Sequence, residues 1–442
     1  MFGYNIRHKR TGVYTKGMLS MNRLMYSDYS AQKDRVILHC DLNNYFASVE
    51  LLEKPELREK PVIVGGSTEN RHGIVLAKNY TAKAFGIMTG ESVSNALGKC
   101  PSLTILEPHY DKYLSYSRAV REIYKRYTDL VEAMGIDECF LDVTGSGYLF
   151  GSGVRIANEI RESVKCETGL TISAGVSFNK IFAKLGSDMK KPDAVTVISR
   201  DDFQEKIWNL PANEMLGVGM KTYKKLWYRG IRTIGDIANC DPDRMQTYLG
   251  KMGQVLWVYA NGYENSPVMQ ENERCPIKSI GHGTTTTADL DTEREVFDTI
   301  IELSEEIGTK LRKNRLKSCG VAVGIRENDL SVREYQMKFA HPTQLTRDVA
   351  RGAMQVFRDK HVWRCPIRSV TVRAIYISAE DEPEQLTIFD EYAWHGELLR
   401  LEKTVDAIRE QYGDHSITSG AYLRNKKLNS QRIGFRDHSE IY

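Results

Sequence analysis

Three acidic side chains stand where they could do chemistry. In "RVILHCDLNNYFASVE" (35–50) an apolar run passes His39 and Cys40 and ends on a lone acid, Asp41, where a strand pattern hands over to a helical one. In "MGIDECFLDVTG" (134–145) Asp137 and Glu138 fall between an extended segment and a strand expected over 139–144. Neighbouring side chains of a regular strand point to opposite faces, so this pair can share one site only at a bend, and Gly135 permits one. Carboxylates on stiff elements are the hard oxygen donors that Mg²⁺ accepts alongside phosphate oxygens. Two such ions about 3.5–4 Å apart stabilise the attacking and leaving oxygens of an in-line displacement at phosphorus. Each acid also has a plainer reading. Asp41, Asn43 or Asn44 could cap the following helix, and Asp137 with Glu138 could form a solvated turn.

Groups suited to phosphate accompany the acids. "NYTAKAFG" (79–86) puts Tyr80 and Lys83 three residues apart on one helical face, and "NKIFAKLGSDMKKP" (179–192) supplies Lys180, Lys184, Lys190 and Lys191. "LGVGMKTYKKL" (216–226) sets Gly217 and Gly219 before a lysine-rich helix that includes Lys221. Such a turn lets backbone N–H groups approach a phosphate without side-chain interference. "KLRKNRLK" (310–317) carries five positive charges, Lys310, Arg312, Lys313, Arg315 and Lys317, a stripe suited to a nucleic-acid backbone. The plainer reading of every lysine run is a solvated helix face.

The elements that must position these residues alternate. "RVILHC", "PVIVGG", "GIVLAK", "LTILEP", "CFLDVT", "LTISAGVS" and "AVTVIS" read as strands, with helices at 110–127, 151–167 and 179–190 among them. Near Pro211 the strands stop, and helical segments broken by glycine turns continue to Gly262. The polar stretch 263–278 reads as a linker. A third module follows in the order strand (279–287), helix (293–313), strand (317–326), strand (333–340), helix (346–360), strand (368–378). Its end leads to an acidic stretch and one more amphipathic helix.

Composition narrows the class. Hydrophobic residues make up 41% and charged residues 27%, and no apolar run reaches the about 18 residues a membrane span needs, so a membrane protein is not expected. The first thirty residues hold no apolar core of a secretory signal, which points to the cytoplasm. Eight cysteines without a C-x-x-C pair argue against zinc and against a disulfide framework. A net charge of +3 leaves the question of a polyanionic partner to local clusters.

Taken together, "DLNNYFASVE", "KNYTAKAFGI", "IDECFLDVTG", "SAGVSFNKIFAKLGSDMKKPD", "LGVGMKTYKKL" and "KSIGHGTTTT" resemble the motifs of the Y-family translesion DNA polymerases of the DinB and UmuC group. The likeness runs from about Arg35 to Ala379. It implies an α+β right-hand polymerase, with palm at 34–44 and 109–198, fingers at 45–108 and a small helix-hairpin-helix thumb at 199–262. A linker at 263–277 and a β-α-β-β-α-β little finger at 278–379 would follow, between an N-terminal extension (1–33) and a C-terminal tail (380–442). By the same resemblance Asp41, Asp137 and Glu138 would hold two Mg²⁺ ions, with the Leu42 carbonyl as a main-chain ligand. Tyr45 and Phe46 would lie against the nucleotide, Phe46 as the steric gate, and Tyr80, Lys83 and Lys191 would contact the triphosphate. Gly217, Gly219 and Lys221, with the basic run 310–317, would bind DNA. Two positions depart from the pattern: Lys83 stands where arginine is frequent, and Ala77 where a hydroxyl residue is.

The implied reaction is low-fidelity, template-directed nucleotidyl transfer from deoxynucleoside triphosphates onto primer–template DNA, past damaged bases, by a cytoplasmic, nucleoid-associated monomer. "QLTIF" resembles the peptide that binds the sliding clamp, with Gln385 offering an amide and Leu386, Ile388 and Phe389 filling an apolar pocket. Residues 391–442 resemble tails of UmuC-like proteins of Gram-positive bacteria. A non-catalytic adaptor binding DNA and clamp is the alternative, and the presence of all three acids speaks against it. A two-metal nuclease or nucleotide cyclase shares the metal logic but leaves the glycine turn, the third module and the clamp peptide unexplained.

Overall fold

The computed structural model describes residues 35–66, 73–270, 276–383, 392–414, 416–425 and 427–428. The peptide at 385–389 lies outside them. The apolar runs form β1 (Ile37–Leu42), β2 (Val62–Gly65), β3 (Val75–Lys78), β4 (Thr104–Leu106), β5 (Val131–Ala133), β6 (Glu138–Asp142), β7 (Ile172–Ser177) and β8 (Val195–Ile198). Further on come β9 (Ser279–Leu290), β10 (Leu316–Glu327), β11 (Val332–Thr343) and β12 (Ile367–Ala379), with helices Glu293–Lys313 and Thr346–Lys360 among them. Helices and sheets are thus mixed in an α+β arrangement. The described residues fall into two compact units, one built from 35–58 and 109–270, the other from 59–108 and the residues after 275.

In the first unit a five-stranded sheet runs β5-β6-β1-β7-β8, with β1 antiparallel to both β6 and β7 and β7 parallel to β8. The two-residue period of β1 sends Leu38, Cys40 and Leu42 into a core shared with helices Tyr110–Lys125 and Gly153–Thr168. His39 and Asp41 therefore take the opposite face. Helix Lys180–Met189 lies against that face, capped by the Asn179 side chain, which accepts from the Phe182 N–H. It lies so close that a Cβ on Gly175 would fall 1.9 Å from the Ala183 carbonyl oxygen, so only glycine is tolerated there. Beyond residue 199 five helices close over Ile207, Leu226, Met245 and Leu256, a core continuous with Phe178 and Phe182.

In the second unit β3-β2-β4 form a small sheet packed on Ile63, Val75, Ala82 and Val93. Strands β11-β10-β12-β9 form an antiparallel sheet with both long helices on one face. Among the described residues no helix is long and apolar enough to cross a membrane.

The basic run at 310–317 is not a uniform exposed stripe, and the expectation of DNA contact fails for Arg312. Its guanidinium is buried, with side-chain exposure of only 5%, and is held by Glu402 and Asp406 of the helix Tyr392–Tyr412 and by the Gln344 carbonyl oxygen. A charged fork so placed is a docking post for the chain's own C-terminal helix. Arg409 repeats the contact with Glu305 at 2.8 Å, and Arg424 and Lys427 tie the following segment to Asp298 and to Asp291 and Glu295. Removing Asp406 takes two hydrogen bonds from the buried guanidinium while Glu402 still balances its charge. Asp406→Ala is accordingly expected to cost about 2 kcal/mol and to lower hydrogen-exchange protection in the helix Tyr392–Tyr412, while protection equal to wild type would show that the pair does not hold it.

Candidate active site

The register of β1 against β6 decides where the acids go. Cys40 pairs with Cys139 and Asp41 with Glu138, so Asp41 and Glu138 sit directly opposite each other on one sheet face. Strand β6 begins at Glu138, one residue before the expected 139, because the Leu42 N–H donates to the Asp137 carbonyl at 2.9 Å and carries the pairing one step further. Asp137 occupies the β5–β6 hairpin just after Gly135, whose φ of 140 makes the bend. Asp41 does not cap the following helix. Asn44 takes that position, with φ 49 and no side-chain cap bond, and Asn43 is drawn aside by Ser173, Thr171 and the Asp193 N–H.

Asp137 feels both of the other carboxyl groups. Burial, then Asp41 and Glu138, push Asp137 up to about 6. Burial also raises Asp41, against the pull of Lys191, whose ammonium donates to Asp41 Oδ1 at 2.9 Å. Glu138 behaves oppositely: burial opposes its charge, but His39 and Lys184 outweigh it and hold the carboxyl down at about 2. Lys184 Nζ donates to Glu138 Oε2, and His39 Nε2 lies 3.0 Å from the same oxygen. Among the described residues no three His, Cys, Asp or Glu side chains have their donor atoms drawn into one ligand cluster as they stand. Glu138 and Asp41 are turned to the two ammonium groups instead. As a donor set, though, three hard carboxylates crowded enough to raise one pKa suit a divalent cation, which would take over the charge the lysines now balance.

The aromatic residues that follow Asp41 are fixed by packing. Tyr45 is buried, and its hydroxyl donates to the Tyr113 carbonyl. Phe46 stacks on Tyr113 with ring centroids 4.2 Å apart and an interplanar angle of 9°, and Tyr110 meets its ring edge-on. The Tyr113 hydroxyl is itself anchored to the buried Glu50 at 2.6 Å. In the other unit Tyr80 opens the short helix Tyr80–Ala84, and Lys83 Nζ lies 5.9 Å from its ring centroid. Gly217 has φ 91, a left-handed backbone that favours glycine, whereas Gly219, the N-cap of Met220–Trp227, faces open space and Lys221 is exposed. Lys180, grouped with the other lysines by sequence, is instead tied to Glu132 at 2.6 Å. His39 and Ser187 escaped the sequence reading. The signal was present, since period-two spacing puts His39 on the Asp41 face.

Residues 40–188 match the impB/mucB/samB family, and residues 277–388 match the C-terminal domain of that family. The chain is 47% identical over 395 residues to DNA polymerase IV of Acetivibrio thermocellus, covering 89% of this chain and 99% of that protein. The chain belongs to the DinB-type Y-family of DNA polymerases. It is 34% identical over 402 residues to DNA polymerase IV of Clostridium acetobutylicum, covering 89% of this chain and 99% of that protein. A solved Y-family DNA polymerase chimera of Dbh and Dpo4 shares the fold at a TM-score of 0.69 and 23% identity, over 78% of this chain and 99% of that one. As a Y-family member the chain is a DNA-directed DNA polymerase of translesion type, and the adaptor reading is not favoured.

The crowding of Asp137 has a signed consequence. Its carboxyl is held above the ordinary 3.8, at about 6, so the folded protein keeps a proton that the unfolded chain releases. The stability this contributes is present below pH 3.8 and lost as pH rises through about 6. Metal-free Asp137→Asn is therefore expected to exceed wild type in stability at pH 8 by on the order of 1 kcal/mol, with the gain gone by pH 4. Thermal melts across that range check it, and a gain that persists at pH 4 would contradict the electrostatic cause.

Proposed function

We propose that this Y-family polymerase joins deoxynucleotides to a primer at Asp41, Asp137 and Glu138, and that these residues, with the Leu42 carbonyl, hold two Mg²⁺ ions. The observation that supports it is the register: Asp41 opposite Glu138 on adjacent strands, with Asp137 at the hairpin beside them. Primer–template DNA and deoxynucleoside triphosphates are the substrates. The primer 3′-hydroxyl attacks the α-phosphate and pyrophosphate leaves. Magnesium would supply charge neutralisation to the attacking and leaving oxygens. The protein's part is to place the carboxylates, carry the triphosphate and exclude the wrong sugar. Lys191, now bonded to Asp41 and Asp188, is the cation free to exchange onto the triphosphate once the acids have another counter-charge. Tyr80 and Lys83 would contact the same phosphates. Phe46 would line the sugar side as the gate, held from behind by Tyr113, with the buried Tyr45 packed beside it.

In this reading the five-stranded sheet and its helices are the palm, 45–108 the fingers, 199–262 the thumb and 278–379 the little finger. Gly217, Gly219 and Lys221 would hold DNA phosphates in the thumb, and Lys310, Lys313, Arg315 and Lys317 of the basic run would contact DNA without Arg312. Gln385, Leu386, Ile388 and Phe389 would bind a sliding clamp. The enzyme would act in the cytoplasm as a monomer.

Two measurements test the chemistry. Glu138→Ala is expected to lower primer extension by more than about 1000-fold, in line with loss of a group acting in the transition state, with DNA affinity kept; near-normal extension would remove the metal assignment. Phe46→Ala is expected to admit ribonucleotides in single-nucleotide insertion assays, and an unchanged sugar preference would remove the gate.

A further inference from the structure

One buried histidine stands behind the carboxylates without a part in the chemistry. His39 is 0% exposed and shares the sheet face of Asp41, two residues away. It pairs with Phe140 across β6 and with Gly175 across β7. The glycine leaves the space through which helix Lys180–Met189 approaches, and that approach brings two of its side chains to the same place. Ser187 Oγ comes within 2.8 Å of His39 Nδ1, and Lys184 Nζ reaches Glu138. The far ring nitrogen, Nε2, lies 3.0 Å from Glu138 Oε2, and Phe140 flanks the ring at a centroid distance of 4.8 Å. The Nε2 contact is short but off-line, since Nε2 makes no well-aligned hydrogen bond as the side chains stand.

We propose that His39 is a positioning residue for Glu138: the chain Ser187 to His39 to Glu138 fixes where that carboxylate presents its oxygens to a divalent cation. The inference deepens the metal reading of the site and rests on it. Its physical basis is the flexibility of glutamate. Asp41 and Asp137 project short side chains from a strand end and a tight hairpin, whereas Glu138 has one more rotatable bond and would drift without a partner. An imidazole fixed on one side orients what it touches on the other. When the Ser187 hydroxyl donates to Nδ1, the neutral ring carries its proton on Nε2, the nitrogen 3.0 Å from Glu138 Oε2. Ser187 Oγ also lies 2.7 Å from the Lys184 carbonyl oxygen, so the hydroxyl has a second acceptor. Turning between the two would set or release the Glu138 contact. Outer partners of ligating carboxylates commonly govern metal affinity by about 10- to 100-fold.

The test uses the full chain without nucleotide. Mn²⁺ binding is read by electron paramagnetic resonance, and the Mg²⁺ concentration for half-maximal primer extension is read alongside. His39→Leu is expected to weaken Mn²⁺ binding and raise that concentration by about 10-fold, with DNA affinity unchanged. His39→Gln, which keeps a donor, is expected to recover most of both. A folded His39→Leu with wild-type Mn²⁺ affinity overturns the proposal. Should His39→Leu fail to fold, Ser187→Ala decides, and unchanged Mn²⁺ affinity there overturns it equally. Glu138→Gln serves as the reference. If it also binds Mn²⁺ like wild type, the metal reading falls and takes the proposal with it; if it loses Mn²⁺ while the His39 variants do not, the proposal falls alone.

Discussion

The active-site unit depends on an arrangement that costs free energy: two carboxylates directly opposite each other on adjacent antiparallel strands, with a third at the turn. Like charges so placed destabilise a sheet. The cost is accepted because the hydrophobic register leaves no alternative. Cys40 pairs with Cys139 and Leu38 with Leu141, and those side chains are buried on the face that packs the two long helices. Sliding β1 by one residue would turn Leu38, Cys40 and Leu42 to the wrong face and Asp41 into the core. The apolar core thus sets the position of the acids.

What makes the arrangement tolerable is the helix Lys180–Met189. It supplies Lys184 to Glu138, and the chain just beyond it supplies Lys191 to Asp41. Neither partner comes from the sheet, so the carboxylates stay anchored by strand pairing while their counter-charges sit on a separate element. Lysine suits the role. It is a compact charge on a flexible stem, able to leave one oxygen for another without breaking a fixed fork of hydrogen bonds. Arginine is used where nothing should move, as Arg312 shows in the other unit: its donors engage Glu402, Asp406 and the Gln344 carbonyl at once.

The sequence made the apolar strands, the third module's element order and the pairing of an acid-ended strand with an acidic hairpin legible. Those features are written in local periodicity, which a single chain displays directly. Three things were not. The strand start at Glu138 follows from the Leu42 N–H reaching the Asp137 carbonyl, a bond between residues about a hundred positions apart. The role of Lys180 as a partner of Glu132 could not be separated from that of Lys184 or Lys191, because spacing along a helix says which lysines share a face but not which carboxylate waits opposite.

Arg312 is the sharpest case. Within "KLRKNRLK" it is one cation among five, and composition gives no reason to treat it differently from Lys313. Its burial is decided about ninety residues later, where Glu402 and Asp406 stand four apart on one face of a helix that had no assigned partner. A charge run is therefore ambiguous in a specific way. Its members divide by helical face, and the face turned inward binds whatever acidic segment the chain itself brings back. Acids at i and i+4 spacing in the tail call for an arginine, since of the five cations only the guanidiniums of Arg312 and Arg315 can satisfy two carboxylates in one buried place, and Arg312 is the one turned inward.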